Sequence, residues 1–168
     1  MRKALLYAAS KWKPLPLAKP RLSGDTGGLI PHNKKEPAMG LAERRKIKEL
    51  TDTTIPEREK ELLEITGSPI RYEIDWESLA NDAEGLNFLD NLSCHRLNMA
   101  LRVICSDELG REAVKDALKT VKLANAPSKE QMKIAFGGGV LEMHCAYALR
   151  TDGMYSDNEI REVLMKGL

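Results

Sequence analysis

The stretch MKIAFGGGVLEMHCAY, residues 132–147, decides the fold, because it contains two alternating segments around a run of three glycines. Apolar residues take every second position in both segments: Met132, Ile134 and Phe136, then Leu141, Met143, Cys145 and Tyr147. A period of two is typical of a β-strand with one buried face. The glycines 137–139 favour a hairpin turn between the two segments. We therefore predict two antiparallel strands here.

A helix is the alternative interpretation for the second segment, from Val140 to Arg150. The apolar residues of this segment fit a helical period and a strand period only in part. The glycines before it and the lack of a capping residue favour the strand.

Outward from the hairpin, the chain alternates again at residues 70–75 (IRYEID) and 120–124 (TVKLA), which predicts two more strands. Helical periods and caps predict helices at residues 41–50, 54–67, 83–105 and 106–118, and from the capping box Ser156–Glu159 onwards. This order predicts an α+β fold: a single two-layer domain with a small, mainly antiparallel sheet packed against helices on one side.

The N-terminal quarter of the chain reads differently. Residues 10–40 carry five prolines and four glycines, so no helix or strand of useful length fits between them. We expect residues 1–40 to form an extended basic arm and residues 41–168 to form the α+β domain, with its core at about 53–168.

The net charge of +1 conceals a division along the chain. Residues 1–48 carry twelve Lys and Arg against three Asp and Glu, a net charge of +9, whereas residues 49–168 carry a net charge of −8. A basic arm with interspersed aromatic residues suits the neutralisation of phosphates and the stacking of bases. The candidate binding residues of the arm are Lys11, Trp12, Lys13, Lys19 and Arg21.

Location is inferred from apolar runs and cysteines. The longest apolar runs fall far short of the roughly 18 residues that a membrane-spanning helix needs, so we expect no membrane insertion. The six apolar residues after Met1–Lys3 are few for a secretory signal, although an organelle transit peptide stays open. Three cysteines match no disulfide framework, which favours buried thiols and a cytoplasmic protein.

One motif has the spelling of a catalytic site. Asp25-Thr26-Gly27 is the tripeptide that holds the catalytic carboxylate in aspartic proteases. That chemistry needs an Asp on a buried loop between strands, facing a second Asp, and Pro20 and Gly24 leave no strand before this one. We interpret the motif as a turn in the arm.

Histidine and cysteine neighbours suggest a metal site or a nucleophile at first. Cys94 and Cys105 lie about 16 Å apart on one helix, too far to share an ion. On a strand, His144 and Cys145 point to opposite faces. A Cys94–His144 or a His95–Cys145 pair between different elements stays open. We expect no metal and no cofactor, and we keep a small-molecule enzyme that uses His95 or His144 as the third hypothesis.

Arg96 is the candidate binding residue of the predicted domain. At helical spacing it falls in the apolar arc that Leu92, Met99 and Val103 bracket. A guanidinium at such a position must reach water or a carboxylate, since burying it unpaired costs too much free energy. We expect a buried ion pair with an acid from another element, with binding of a partner's anion as the alternative.

These observations favour a non-enzymatic binding or accessory protein. The basic arm and the helical surface would engage a macromolecule, with a protein as the expected partner. A nucleic-acid-binding protein is the first alternative, because the arm combines cations with aromatic residues.

Overall fold

The computed structural model describes residues 39–168, and the predicted α+β domain is present there. The helices are α1 (Leu41–Glu49), α2 (Ile55–Thr66), α3 (Trp76–Leu79), α4 (Ala83–Leu89), α5 (His95–Ile104), α6 (Glu108–Ala117) and α7 (Asp157–Met165). The strands are β1 (Arg71–Ile74), β2 (Thr120–Asn125), β3 (Lys133–Gly137) and β4 (Val140–Cys145). Short 3-10 helices cover Lys129–Gln131 and Tyr147–Gly153.

Two long helices are each interrupted by one wide turn. The π turn Leu50–Thr54 joins α1 to α2, so the helix predicted to begin at Thr54 is the continuation of α1. The π turn Asp90–Cys94 joins α4 to α5 in the same way, within the long helix that the sequence predicts. Gly67 ends α2 in the left-handed conformation, with φ of 71°, where glycine is favoured.

The sheet has the strand order β1-β2-β4-β3 and is mixed. The prediction of a mainly antiparallel sheet is wrong: β1 pairs with β2 and β2 pairs with β4 in parallel, and only β3 and β4 are antiparallel. The physical reason is the connection between β1 and β2. It contains four helices, which carry the chain back to the start of the sheet and so allow parallel pairing.

The hairpin predicted within residues 132–147 is confirmed. Ile134 pairs with Met143 and Phe136 with Leu141 across β3 and β4. Gly138 and Gly139 form the turn with φ of 59° and 85°, values that residues with a side chain rarely adopt. The alternative of a helix over 140–150 is wrong, because β4 runs to Cys145 before a 3-10 helix begins.

Helices cover one face of the sheet. Tyr72, Val121, Leu123, Leu141 and Met143 point into the core, and each is at most 8 % exposed. The opposite face is open and carries a row of alternating charges, in which Lys122 contacts Glu73 and Lys133 contacts Glu142. The domain therefore has two layers, as predicted.

The helical layer departs from the predicted apolar arc at two positions. Leu92, Leu97 and Leu101 are buried, but Met99 and Val103 are 42 % and 49 % exposed. The reason is that α5 packs against α2 and α7, and this leaves a sector of the arc uncovered. Among residues 39–168, no helix has both the length and the apolar character needed to cross a membrane.

Candidate interaction surface

Three helix ends enclose an apolar groove on the side of the helical layer. The C-terminal ends of α5 and α7 and the N-terminal half of α6 line a cavity of about 560 Å³. The lining side chains are mainly apolar: Val103, Ile104, Leu109, Ala113, Met165 and Leu168, together with Gly110, Asp107 and Arg161. We call this surface the α5–α7 groove.

Large apolar side chains project from the groove into solvent. Leu109 is 80 % exposed and Met165 is 60 % exposed, beside the half-exposed Val103. Met99 lies one helical turn before Val103 and extends the same strip along α5. Single exposed apolar residues are common, but a contiguous apolar patch with a polar rim marks an interaction site.

The sequence around α6 explains why Leu109 projects outwards. Asp107 caps the helix, and its carboxylate accepts a hydrogen bond of 2.8 Å from the backbone N–H of Gly110. A Cβ on Gly110 would lie 1.9 Å from the carbonyl oxygen of Ile104, so only glycine allows α6 to start this close to α5. The second residue of the helix, Leu109, then faces away from the core, which Val114 and Leu118 fill.

Helix α7 forms the other wall. Its start is fixed by a capping box between Ser156 and Glu159, which confirms the prediction from sequence. Ile160 and Leu164 are buried, which leaves Arg161 and Met165 on the groove side of the helix. The groove thus presents one cation and one anion, Arg161 and Asp107, beside its apolar floor.

Arg96 of α5 pairs with an acid from another element, as predicted, but the prediction that this pair is buried is wrong. Its Nη1 atom lies 3.9 Å from Oδ1 of Asp157 at the start of α7, and both side chains are about one-third exposed. The guanidinium reaches solvent because Met99 and Val103 are not covered by another element. Its Nε atom is enclosed and has no hydrogen-bond partner among residues 39–168.

A charge network with shorter distances than the Arg96–Asp157 contact joins α2 to the long helix formed by α4, its π turn and α5. Arg58 hydrogen-bonds both Asp90 and Glu61, and Arg102 hydrogen-bonds the second oxygen of Glu61 at 2.8 Å. Burial alone would raise the pKa of Glu61, but the hydrogen bonds from Arg102 and Arg58 lower it to about 2. Every charge in this network has an opposite partner, so we assign it to the stability of the helix pair.

The three cysteines are free and buried, as the sequence predicts. Burial raises the pKa of Cys94, Cys105 and Cys145. A nucleophilic cysteine needs the opposite shift, towards thiolate at neutral pH. These thiols are therefore placed for packing, and Cys145 accepts a long contact of 3.6 Å from the hydroxyl of buried Ser93.

His95 and His144 lie apart from the groove lining. His144 is on the open face of the sheet, where its Nε2 atom is 3.0 Å from Glu142 and a shallow cavity of about 400 Å³ surrounds it. The hydrogen bond from Lys133, followed by that from His144, lowers the pKa of Glu142. His95 begins α5 and is half-buried. Within residues 39–168, no three His, Cys, Asp or Glu side chains come together as a metal site would need.

The remaining candidate residues lie outside the described part of the chain. These are Lys11, Trp12, Lys13, Lys19 and Arg21, together with the Asp25-Thr26-Gly27 motif. The sequence patterns did not indicate Leu109 and Met165, the most exposed large apolar residues of the groove. The sequence does carry a sign of their exposure: each is an apolar residue that lies beside the buried stripe of its helix and not within it.

The chain matches no family model, no curated protein and no solved structure.

Proposed function

We propose that this chain is a non-enzymatic binding protein whose domain engages a protein partner through the α5–α7 groove. The observation that carries the proposal is the exposure of Leu109 and Met165 beside an apolar groove of about 560 Å³. Water contact with these side chains costs free energy, at about 25 cal/mol per Å² of apolar surface, which an apolar partner surface would recover.

An amphipathic helix is the partner element that the groove suits best. The groove lies between helix ends, and helices commonly bind such grooves through apolar residues spaced three and four apart. Asp107 and Arg161 are the charged residues of the lining, so the partner stripe should carry a cation opposite Asp107 and an anion opposite Arg161. We therefore expect the partner helix to carry an apolar stripe with one positive and one negative side chain beside it.

Affinity capture with matched variants tests this function. Tagged full-length chain is expressed in its own cells, and the bound proteins are compared for Leu109→Glu, Met165→Glu and the control Leu41→Glu. Leu41 is a matched control because it is 65 % exposed and lies on α1, outside the groove lining. We expect the two groove variants to lose the bound protein and Leu41→Glu to keep it. Equal capture by all four proteins would overturn the proposal.

Binding of nucleic acid is the second candidate, and the net charge of +9 in residues 1–48 is the observation that favours it. Electrostatic binding of this kind weakens steeply with salt. It therefore predicts a salt-dependent affinity for unspecific DNA or RNA that is lost when residues 1–40 are deleted and unaffected by Leu109→Glu. This outcome would place the function in the arm and leave the groove without a role in it.

A further inference from the structure

We propose that the helix received by the α5–α7 groove is α6 of a second copy of this chain, so that the protein forms a symmetric dimer. This inference rests on the proposed function of the groove and names its partner. Leu109 would insert into the groove of the other copy, and the same contact would occur twice about a two-fold axis.

The groove region contains both halves of such a contact. Leu109 is the most exposed large apolar side chain of the described residues, and it stands at the edge of the groove that would receive it. A symmetric dimer interface must be self-complementary, because each patch meets its own copy. The patch is self-complementary in shape, because the projecting Leu109 of one copy can fill the apolar groove of the other.

The charges of the lining satisfy the same condition. Asp107 and Arg161 both line the groove, and within residues 39–168 neither has an oppositely charged side chain at ion-pair distance. In the part of the chain that the structure describes, Arg161 donates only to the amide oxygen of Asn158, at 2.6 Å. In a symmetric dimer, Asp107 of each copy would face Arg161 of the other, which gives two ion pairs. A patch with charges of only one sign would repel its own copy.

The size of the patch bears on whether the dimer is permanent or reversible. The exposed parts of Met99, Val103, Leu109 and Met165 amount to an apolar patch of a few hundred Å², on the order of the largest patch of an ordinary monomer. A stable complex buries about 800 Å² on each partner. We therefore expect a reversible dimer with a dissociation constant in the micromolar range, rather than a permanent one.

Sedimentation velocity of the full chain tests the dimer. The sedimentation coefficient should rise from the monomer value towards the dimer value between about 1 µM and about 200 µM, the range around a micromolar dissociation constant. Leu109→Glu should stay monomeric over that range, and Leu41→Glu should behave as the unchanged chain. Circular dichroism of each variant checks that the fold is kept.

Charge variants test the geometry of the pairing. Arg161→Glu places a carboxylate opposite Asp107 of the other copy and should weaken the dimer at least tenfold. The double variant Arg161→Glu with Asp107→Asn removes that repulsion and keeps a good helix cap, so it should recover part of the affinity. A general loss of structure would produce no such recovery.

A chain that stays monomeric at every concentration would overturn the inference, and so would a dimer unaffected by Leu109→Glu. These failures differ from failure of the proposed function. If the chain is monomeric but capture of another protein depends on Leu109, the groove binds a different partner and the proposed function stands. If the chain is monomeric and capture is insensitive to Leu109, both proposals fail.

Discussion

Arg58 binds the carboxylate of Asp90 with two hydrogen bonds, from Nε to Oδ1 at 2.7 Å and from Nη2 to Oδ2 at 2.9 Å. Arg58 lies on α2 and Asp90 begins the π turn of the other long helix, so this fork connects the two helices of the helical layer. Both side chains are about one-quarter exposed. Bidentate pairs of this kind fix geometry as well as adding free energy.

We predict that Asp90→Asn lowers the free energy of unfolding by about 1–3 kcal/mol, because it leaves the mostly buried guanidinium of Arg58 with a weaker partner. Urea unfolding followed by circular dichroism measures the change. The matched control is Lys48→Met, which removes the exposed pair with Asp52 and should leave the free energy of unfolding nearly unchanged. Equal costs for the two variants would show that the fork adds nothing beyond a surface pair.

The lowered pKa of Glu61 leads us to predict that the folded chain loses stability in acid. Although burial opposes it, the hydrogen bonds from Arg102 and Arg58 lower the pKa of Glu61 from 4.5 to about 2 in the folded chain. The stabilisation is therefore complete above the unfolded pKa of about 4.5 and is lost as the pH falls from there towards 2. Solvent screening reduces the gain for this partly exposed carboxylate, so we expect a contribution of about 1–2 kcal/mol. Urea midpoints at pH 7, 5, 4, 3 and 2 measure it.

The control for this pH dependence is Glu61→Gln. It should be less stable than the unchanged chain at pH 7 and should show a flatter dependence between pH 4.5 and 2, because the titrating group is absent. If the two chains lose stability in parallel over this window, another carboxylate carries the effect.

The close approach of Gly110 to α5 leaves no room for a side chain at this position. Gly110→Ala would place a methyl group 1.9 Å from the backbone oxygen of Ile104, so α6 must shift and we expect a loss of about 2 kcal/mol or more. Gly137→Ala is the control, since its Cβ would meet no atom within 4 Å. Thermal unfolding of both variants measures the difference. A Gly110→Ala chain as stable as Gly137→Ala would mean that α6 is placed differently.

We expect substitutions of Arg96 to have only a small effect on stability. Its contact with Asp157 is long and its side chain is about one-third exposed, so Arg96→Ala and Arg96→Met should each cost less than about 1 kcal/mol. Urea unfolding at pH 7 measures both. A loss of 3 kcal/mol or more in both variants would restore the buried pair that the sequence suggests.

Local patterns predict the parts of the fold that depend on neighbouring residues. The alternation around Gly137–Gly139 gives the hairpin, and the capping box at Ser156 gives the start of α7. The parallel pairing of β1 with β2 depends on four intervening helices, and no period within either strand carries that information. Whether neighbouring strands run parallel or antiparallel could therefore be learned only from the structure.

The candidate surface was harder to predict for a related reason. The period of α5 places Met99 and Val103 with the buried leucines, and only the positions of α2 and α7 leave them exposed. The same positions give Arg96 a path to solvent. Burial of a residue on a wide apolar arc depends on how many neighbours the helix has, which a single helical period does not specify.

Photo-crosslinking from position 109 is the most direct test that the α5–α7 groove is a protein interface. Benzoylphenylalanine replaces Leu109 in the chain within its own cells, and a matched chain carries it at the exposed Leu41 of α1. The account predicts that irradiation joins a protein to position 109 and none to position 41, with an adduct of twice the chain's mass if the partner is a second copy. No adduct from position 109, or the same adduct from both positions, would contradict it.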